Sequence, residues 1–321
     1  MKALVYHEYG PPNVLKCEEV QKPAPKDDEV LIKVRAASAN PLDWRLMRGE
    51  PRPVRVVGKL LKMHGRPGAD VAGVVEATGK SVTHFKPGDR VFGSCRGAFA
   101  EYVCTPESRI ASIPDNVTFE HAAAANVAGL TALQALRDKA QVQPGETVLI
   151  NGAAGGVGTF AVQIAKTLGA EVTGVCSTRN VEMVKSIGAD AVIDYTKQDF
   201  TKLGKRYDVI FDCVGNKSIA DCRRTLSPKG RHIPIGAPHG AKLSGMLFSL
   251  LGALLASLFT TQKTISFIAK ASQADLRLLA QLIADGKLTP VIDRCYELCD
   301  GADALRYLED GHARGKVLIT V

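Results

Sequence analysis

The chain has 321 residues, 45% of them hydrophobic and 23% charged. That balance excludes disorder and collagen-like repetition and suits one large or two ordinary globular domains. Lys and Arg number 41 against 33 Asp and Glu, a formal net charge of +8, spread with no block of five like charges, so a nucleic-acid arm is not expected. A diffuse positive field suits an anionic ligand such as a phosphorylated cofactor.

Short segments open the chain. Lys2–Tyr6 and Glu29–Ala36 read as strands around the Pro-rich turn at 22–29, followed by Gly68–Thr78 and Arg90–Gly93. Many short strands punctuated by Gly and Pro predict a β-rich, barrel-like unit. Glu120–Lys139 contains an Ala-rich helical stretch. From there strands and helices alternate. The strands are Thr147–Asn151, Glu171–Cys176, Ala191–Asp194, Tyr207–Cys213, Arg231–Gly236 and Thr264–Ala269, and the helices are Val157–Leu168, Asn180–Ile187 and Lys217–Leu226. This alternation predicts a doubly wound parallel sheet, so the fold class is α/β. The tail reads as a helix at Asp275–Asp285, a new segment from Thr289, a helix at Ala302–Glu309 and a final strand at Gly315–Val321.

Eight cysteines (17, 95, 104, 176, 213, 222, 295 and 299) are scattered without a C-x-x-C pair. They read as reduced, mostly buried thiols in a cytoplasmic protein. The opening MKALVYHEYG lacks the apolar core of a secretory leader. Residues 243–262 carry no charge over 20 positions, a length that could span a bilayer. Their Ser, Thr and Gly content favours buried helices, an apolar pocket wall or a dimer interface. Peripheral membrane contact through this segment stays open.

The richest motif is TVLINGAAGGVGTFAVQIAKTLG at 147–169, in which a strand enters a Gly-rich turn that opens a helix. Ala153, Ala154, Gly155, Gly156, Val157 and Gly158 form the turn. Small residues let the backbone approach a pyrophosphate, and the helix start offers N–H groups and a positive dipole end. Gly158 lets the helix pack close to the strand. The end of the next strand reads Ser177-Thr178-Arg179, with no acid before Glu182. Hydroxyls and a guanidinium there suit a 2′-phosphate, so NADPH is expected over NADH.

These elements, with NPLD at 40–43, GADVAGVVEATG at 68–79, KPGDRVFG at 86–93, GAFAEYV at 97–103, GLTALQAL at 129–136 and HARGKVLITV at 312–321, resemble the medium-chain dehydrogenase/reductase superfamily along essentially the whole chain. The resemblance implies a discontinuous GroES-like catalytic domain (1–121 and 270–321), a Rossmann domain (122–269), and a cofactor in the cleft between them. The zinc branch of that family has a Cys ligand near the position of Asn40 and a Gly-His-Glu motif where this chain reads Gly68-Ala69-Asp70. No group of three or four Cys and His has metal-ligand spacing, so no metal is expected. The chain therefore resembles the zinc-independent, quinone oxidoreductase-like branch. That branch often carries an Arg where Met47 stands here, with Arg48 beside it.

The resemblance implies hydride transfer from NADPH to a quinone or to the β-carbon of an α,β-unsaturated carbonyl. Asn40 would bond the substrate carbonyl or the nicotinamide ribose, and Thr131 would sit near the nicotinamide. Trp44 and Arg45, which follow the Asn-Pro pair, would wall the pocket. Tyr195, Val214, Gly236, Gly315 and Lys316 complete the implied cofactor contacts, Lys316 being otherwise a surface charge. A homodimer and a lipophilic acceptor are further expectations. Three readings stay open beside this one: an enoyl-thioester reductase, an alcohol/aldehyde oxidoreductase of the same fold, and an NADPH-binding protein with little turnover.

Overall fold

The computed structural model describes residues 1–50, 65–236 and 261–321, so most of the uncharged stretch at 243–262 lies outside the described residues. Two compact units result: Met1–Leu130 with Lys270–Val321, and Thr131–Ala269. The first division falls at 130/131, towards the end of the helix Phe119–Leu133, where the sequence placed it at 121/122, in that helix's first turn.

The longest strand of the first unit is Glu29–Ala39 (β3), buried on both faces over its second half. It lies beside Asp70–Thr78 (β4) and the chain's last strand, Lys316–Thr320 (β15), antiparallel to both. Ile292–Glu297 (β14), Arg90–Ser94 (β5) and Ile110–Ser112 (β7) extend the sheet to seven strands, with Tyr102–Pro106 (β6) also on β3. Lys2–Val5 (β1) and Lys16–Glu19 (β2) form a separate antiparallel pair. The β-rich expectation holds, and both ends of the chain build this unit. Pro41–Arg48 (α1) leaves β3 directly: Pro41 sits in its first turn and Gly49 ends it at φ 65°. Trp44 and Met47 bury one face of α1 in the core, alongside Val34, Val71 and Phe99.

The second unit is a six-stranded parallel sheet in the order β10–β9–β8–β11–β12–β13. Its strands are Thr147–Asn151 (β8), Glu171–Cys176 (β9), Ala191–Asp194 (β10), Tyr207–Asp212 (β11), Leu226–Pro234 (β12) and Lys263–Thr264 (β13). The order reverses between β8 and β11, as a doubly wound sheet requires. Its helices include Gly156–Thr167 (α3), Val181–Ser186 (α4) and Ile219–Thr225 (α5). One expectation needs correction: the strand expected at Thr264–Ala269 pairs only at Lys263 and Thr264, and Ile268 is 88% exposed. The Ala-rich helical stretch expected within Glu120–Lys139 is present: it runs as Phe119–Leu133 (α2) and then widens into a π turn over Gln134–Ala140, closed by Gln141 at φ 53°.

The cysteine reading also needs correction, because Cys17 and Cys299 are joined in a disulfide with Cα atoms 5.2 Å apart. Their separation of 282 residues hides the pairing from any spacing rule. The fold brings β2 against the 3-10 turn Leu298–Asp300. Among the described residues, no helix is long and apolar enough to cross a membrane.

Both bridged cysteines are exposed, so a reductant reaches them without unfolding. Reduction, or Cys17→Ser, is expected to lower stability by about 2–4 kcal/mol, as typical for releasing a long closed loop. Thermal melts with and without a phosphine reductant check this. A midpoint that does not move in either case refutes it.

Candidate functional site

In the second unit the chain leaves β8 at Asn151 and turns at Gly152, where φ is +84° and a side chain would meet Val214 Cγ2 at 2.8 Å. Gly155 then caps α3 with no side-chain hydrogen bond of its own. The first-turn N–H groups of that helix therefore remain donors for a ligand. A Cβ on Gly158 would stand 2.1 Å from the Gly152 oxygen, so this glycine is required by strand–helix contact. A Cβ on Gly155 would meet only that same oxygen, at 3.4 Å. Packing within the protein does not require Gly155 to lack a side chain, but close approach of a phosphate does. The turn thus fits a dinucleotide. Gly152, absent from the sequence-derived set, shows its need through its backbone angle and its contact with Val214.

At the end of β9, Ser177, Thr178 and Arg179 enter a single 3-10 turn, with Thr178 and Arg179 exposed. Thr178 Oγ1 donates to Asp194 Oδ2 at 2.6 Å. Asp194 comes from the neighbouring strand, in register with Cys176. The Thr178 hydroxyl, followed by the Thr196 hydroxyl and amide, holds the Asp194 carboxyl down to about 2 against the effect of burial. A carboxylate therefore does stand beside the Ser-Thr-Arg turn, supplied by the sheet. Tyr195 follows it, 61% exposed. Val214 lies on the loop after β11, and a Cβ on Gly236 would meet the Cys213 oxygen at 2.0 Å.

In the first unit, the start of α1 collects charged and polar side chains in the interior. Asn40, Asp43, Asp70, Asn126 and Lys316 are all buried. Asn40 Nδ2 donates to the Ser38 oxygen at 3.1 Å and to Asp70 Oδ2 at 2.9 Å. Asn40 Oδ1 accepts from Lys316 Nζ at 2.9 Å, and the same ammonium stands 3.5 Å from Asp70 Oδ2. The other Asp70 oxygen accepts from Asn126 Nδ2 at 2.8 Å and the Val127 amide at 3.0 Å. Asp43 reaches back to the Asn40 amide at 2.8 Å and takes the Gly68 amide at 3.0 Å. Burial pushes the Asp43 carboxyl up to about 7, a rise that its two amide bonds oppose and the nearby Asp70 charge assists. Burial likewise lowers the Lys316 ammonium, against the pull of Asp70 and Asp43. Lys316 is thus not the surface charge that was its alternative reading. Gly315 before it adopts φ +100°, and a Cβ there would meet the Val291 oxygen at 2.2 Å.

The remaining residues from the sequence scatter. Trp44 is 4% exposed within the core, with the Arg45 guanidinium 5.2 Å over its ring. Arg48 is committed to an ion pair with Glu309 on the helix Gly301–Glu309. Thr131 is half-buried on α2. Asp43, Asp70 and Asn126 were missed as site residues, although Asp43 and Asp70 lie in the quoted motifs. Asp212, Cys222 and His232, from three elements, also meet, with donor atoms within 4.8 Å of one another.

The chain is similar to known proteins. Residues 26–115 match a family described as alcohol dehydrogenase GroES-like domain, and residues 187–319 one described as zinc-binding dehydrogenase. A chloroplast envelope quinone oxidoreductase homolog of Arabidopsis thaliana is 34% identical over 99% of this chain and 98% of its own. An NADPH-dependent alkenal/one oxidoreductase of the same plant is 34% identical over 99% and 79%. The solved quinone oxidoreductase of Coxiella burnetii superposes with a TM-score of 0.87 at 31% identity, covering 100% of this chain and 99% of that one. The chain is an oxidoreductase that belongs to the medium-chain dehydrogenase/reductase family, in its quinone oxidoreductase-like branch.

Proposed function

We propose that the protein is a zinc-independent, NADPH-dependent reductase of quinones or of α,β-unsaturated carbonyls, with a lipophilic acceptor. The observation that carries this reading is the glycine turn opening α3, where Gly155 is open to a phosphate and the helix start lacks a cap of its own. When bound, the nicotinamide supplies the hydride. Gly155, Gly156, Val157 and Gly158 would hold the pyrophosphate. Ser177 and Arg179 would take the 2′-phosphate, Thr178 acting through Asp194 rather than donating itself. Arg179 must therefore outweigh a neighbouring carboxylate, and the cofactor preference rests on it. Asn40 has both amide protons engaged, so it accepts but does not donate. That favours contact with a hydroxyl, such as one of the nicotinamide ribose, over contact with a substrate carbonyl. The Lys316 ammonium beside Asn40 and Asp70 supports the zinc-independent reading, because a metal cation there would be repelled. The proton that completes the product comes from water or a nearby donor.

Purified protein is expected to oxidise NADPH with an ortho-quinone or an alkyl vinyl ketone, and to use NADH at least tenfold less well. Absorbance of the reduced cofactor follows both reactions. Arg179→Glu is expected to erase that preference, about 1.4 kcal/mol per tenfold. Tight NADPH binding without turnover on either acceptor would instead favour a binding protein, and equal use of NADH would refute the role of Arg179.

Lys316→Met is expected to cost about 3 kcal/mol by leaving Asp70 buried without a counter-charge. Adding Asp70→Leu is expected to recover part of that stability without recovering kcat/KM. Denaturant unfolding and steady-state kinetics separate the two effects. Loss of neither stability nor turnover in the single variant would contradict the buried-pair account.

A further inference from the structure

The strand order of the second unit reverses between β8 and β11. Ligands of doubly wound sheets bind outside the carboxyl ends of the strands at that reversal. Two buried side chains face each other there, Asn151 at the end of β8 and Asp212 at the end of β11, paired in register. Asp212 Oδ1 accepts from Asn151 Nδ2 at 2.8 Å, from the Val214 amide at 3.0 Å and from the Gly215 amide at 2.9 Å. Its main-chain oxygen accepts from the amides of Ile235 at 2.8 Å and Gly236 at 3.0 Å, in the turn after β12. Asn151 Nδ2 also reaches Asn216 Oδ1 at 3.0 Å. One residue therefore ties together the ends of three adjacent strands.

The loop so held has little freedom. Gly215 sits at φ +70°. Val214 presses on Gly152, and Gly236 leaves no room for a side chain beside the Cys213 oxygen. Yet the Val214 side chain remains 38% exposed, an apolar group displayed on a fixed backbone next to the phosphate turn. A carboxylate buried to this degree is unfavourable unless fully hydrogen-bonded. Here its bonds are spent on loop backbone at the point where a ligand binds. His232 lies 3.7 Å from the other oxygen, too far for a hydrogen bond.

We propose that Asp212 is a positioning residue for the nicotinamide half of the cofactor: it fixes the loop 213–216, and with it Val214, across the strand reversal. The proposal rests on the NADPH reading above. The adenosine half of the cofactor is held at the end of β9 on that reading, so the two halves respond differently when Asp212 is changed.

Calorimetric titration tests this with two probes, NADPH and adenosine 2′,5′-bisphosphate, the latter occupying the adenosine half alone. Asp212→Ala is expected to weaken NADPH at least tenfold and to leave the bisphosphate within twofold. Asp212→Asn keeps one acceptor oxygen for the two loop amides and is expected to restore NADPH to within about threefold. If Asp212→Ala does not fold, Asn151→Ala carries the test, with the same direction for each probe. Equal weakening of both probes, or no weakening of NADPH, overturns the positioning role. Failure of the unmutated protein to bind NADPH overturns the cofactor reading itself, and is distinguished by that control.

Discussion

Lys316 brings its amino group into a position 3% exposed to solvent, and the first unit is arranged to answer it. An ammonium without water is unfavourable by several kcal/mol unless its protons find acceptors in good geometry. Two of those acceptors are Asn40 Oδ1 and Asp70 Oδ2. Each brings its own requirements. Asp70 needs Asn126 and the Val127 amide for its second oxygen, and Asn40 needs Ser38 and Asp70 for its amide protons. The chain therefore closes a polar network from β3, β4, α2 and β15 whose members are fixed by one another. A half-satisfied version of such a network would be worse than an apolar core.

The second unit solves a different problem by the opposite means. There the chain must come close to itself and to a ligand, and side chains are removed rather than added. Gly158 allows α3 to approach β8, Gly152 turns the chain under Val214, and Gly236 lets β12 close on the loop after β11. Of the glycines around the turn, Gly155 differs from these three: a Cβ there would meet the Gly152 oxygen only at 3.4 Å. The contrast separates a glycine that packing leaves some space from three that packing requires.

How much of this was legible in the sequence depended on where the determining contacts lie. Thr147–Asn151 is legible to the residue because a strand covered on both faces is an apolar run bounded by turn residues; Glu171–Cys176 and the edge strand Ala191–Asp194, the latter with only Ile193 buried, are also legible to the residue. Lys16–Glu19 was missed: its side chains are largely exposed, and its pairing comes from β1. Thr264–Ala269 is too long as a strand, since of its residues only Thr264 lies in the register with β12. The glycine turn was legible because its requirements are local. The Lys316 network was not, with partners 276 residues apart in Asn40 and Lys316. The Asp194 carboxylate was hidden in the same way, brought to Thr178 by strand register.

The Asn40 geometry bears on the choice among acceptors. An amide whose protons are both engaged cannot stabilise a developing oxyanion by donation. An alcohol/aldehyde pair concentrates negative charge on one oxygen in the transition state and depends heavily on a donor or metal to hold it. A quinone or an enone spreads the same charge over a conjugated system, so orientation and exclusion of water contribute more to its reduction than local polarisation does. A site that spends its charges on each other, as Lys316 and Asp70 do, is suited to the second kind of acceptor. The buried network and the delocalised substrate are on this reading two aspects of one design: the protein holds its own charges in place, and the acceptor accommodates the charge that the hydride brings.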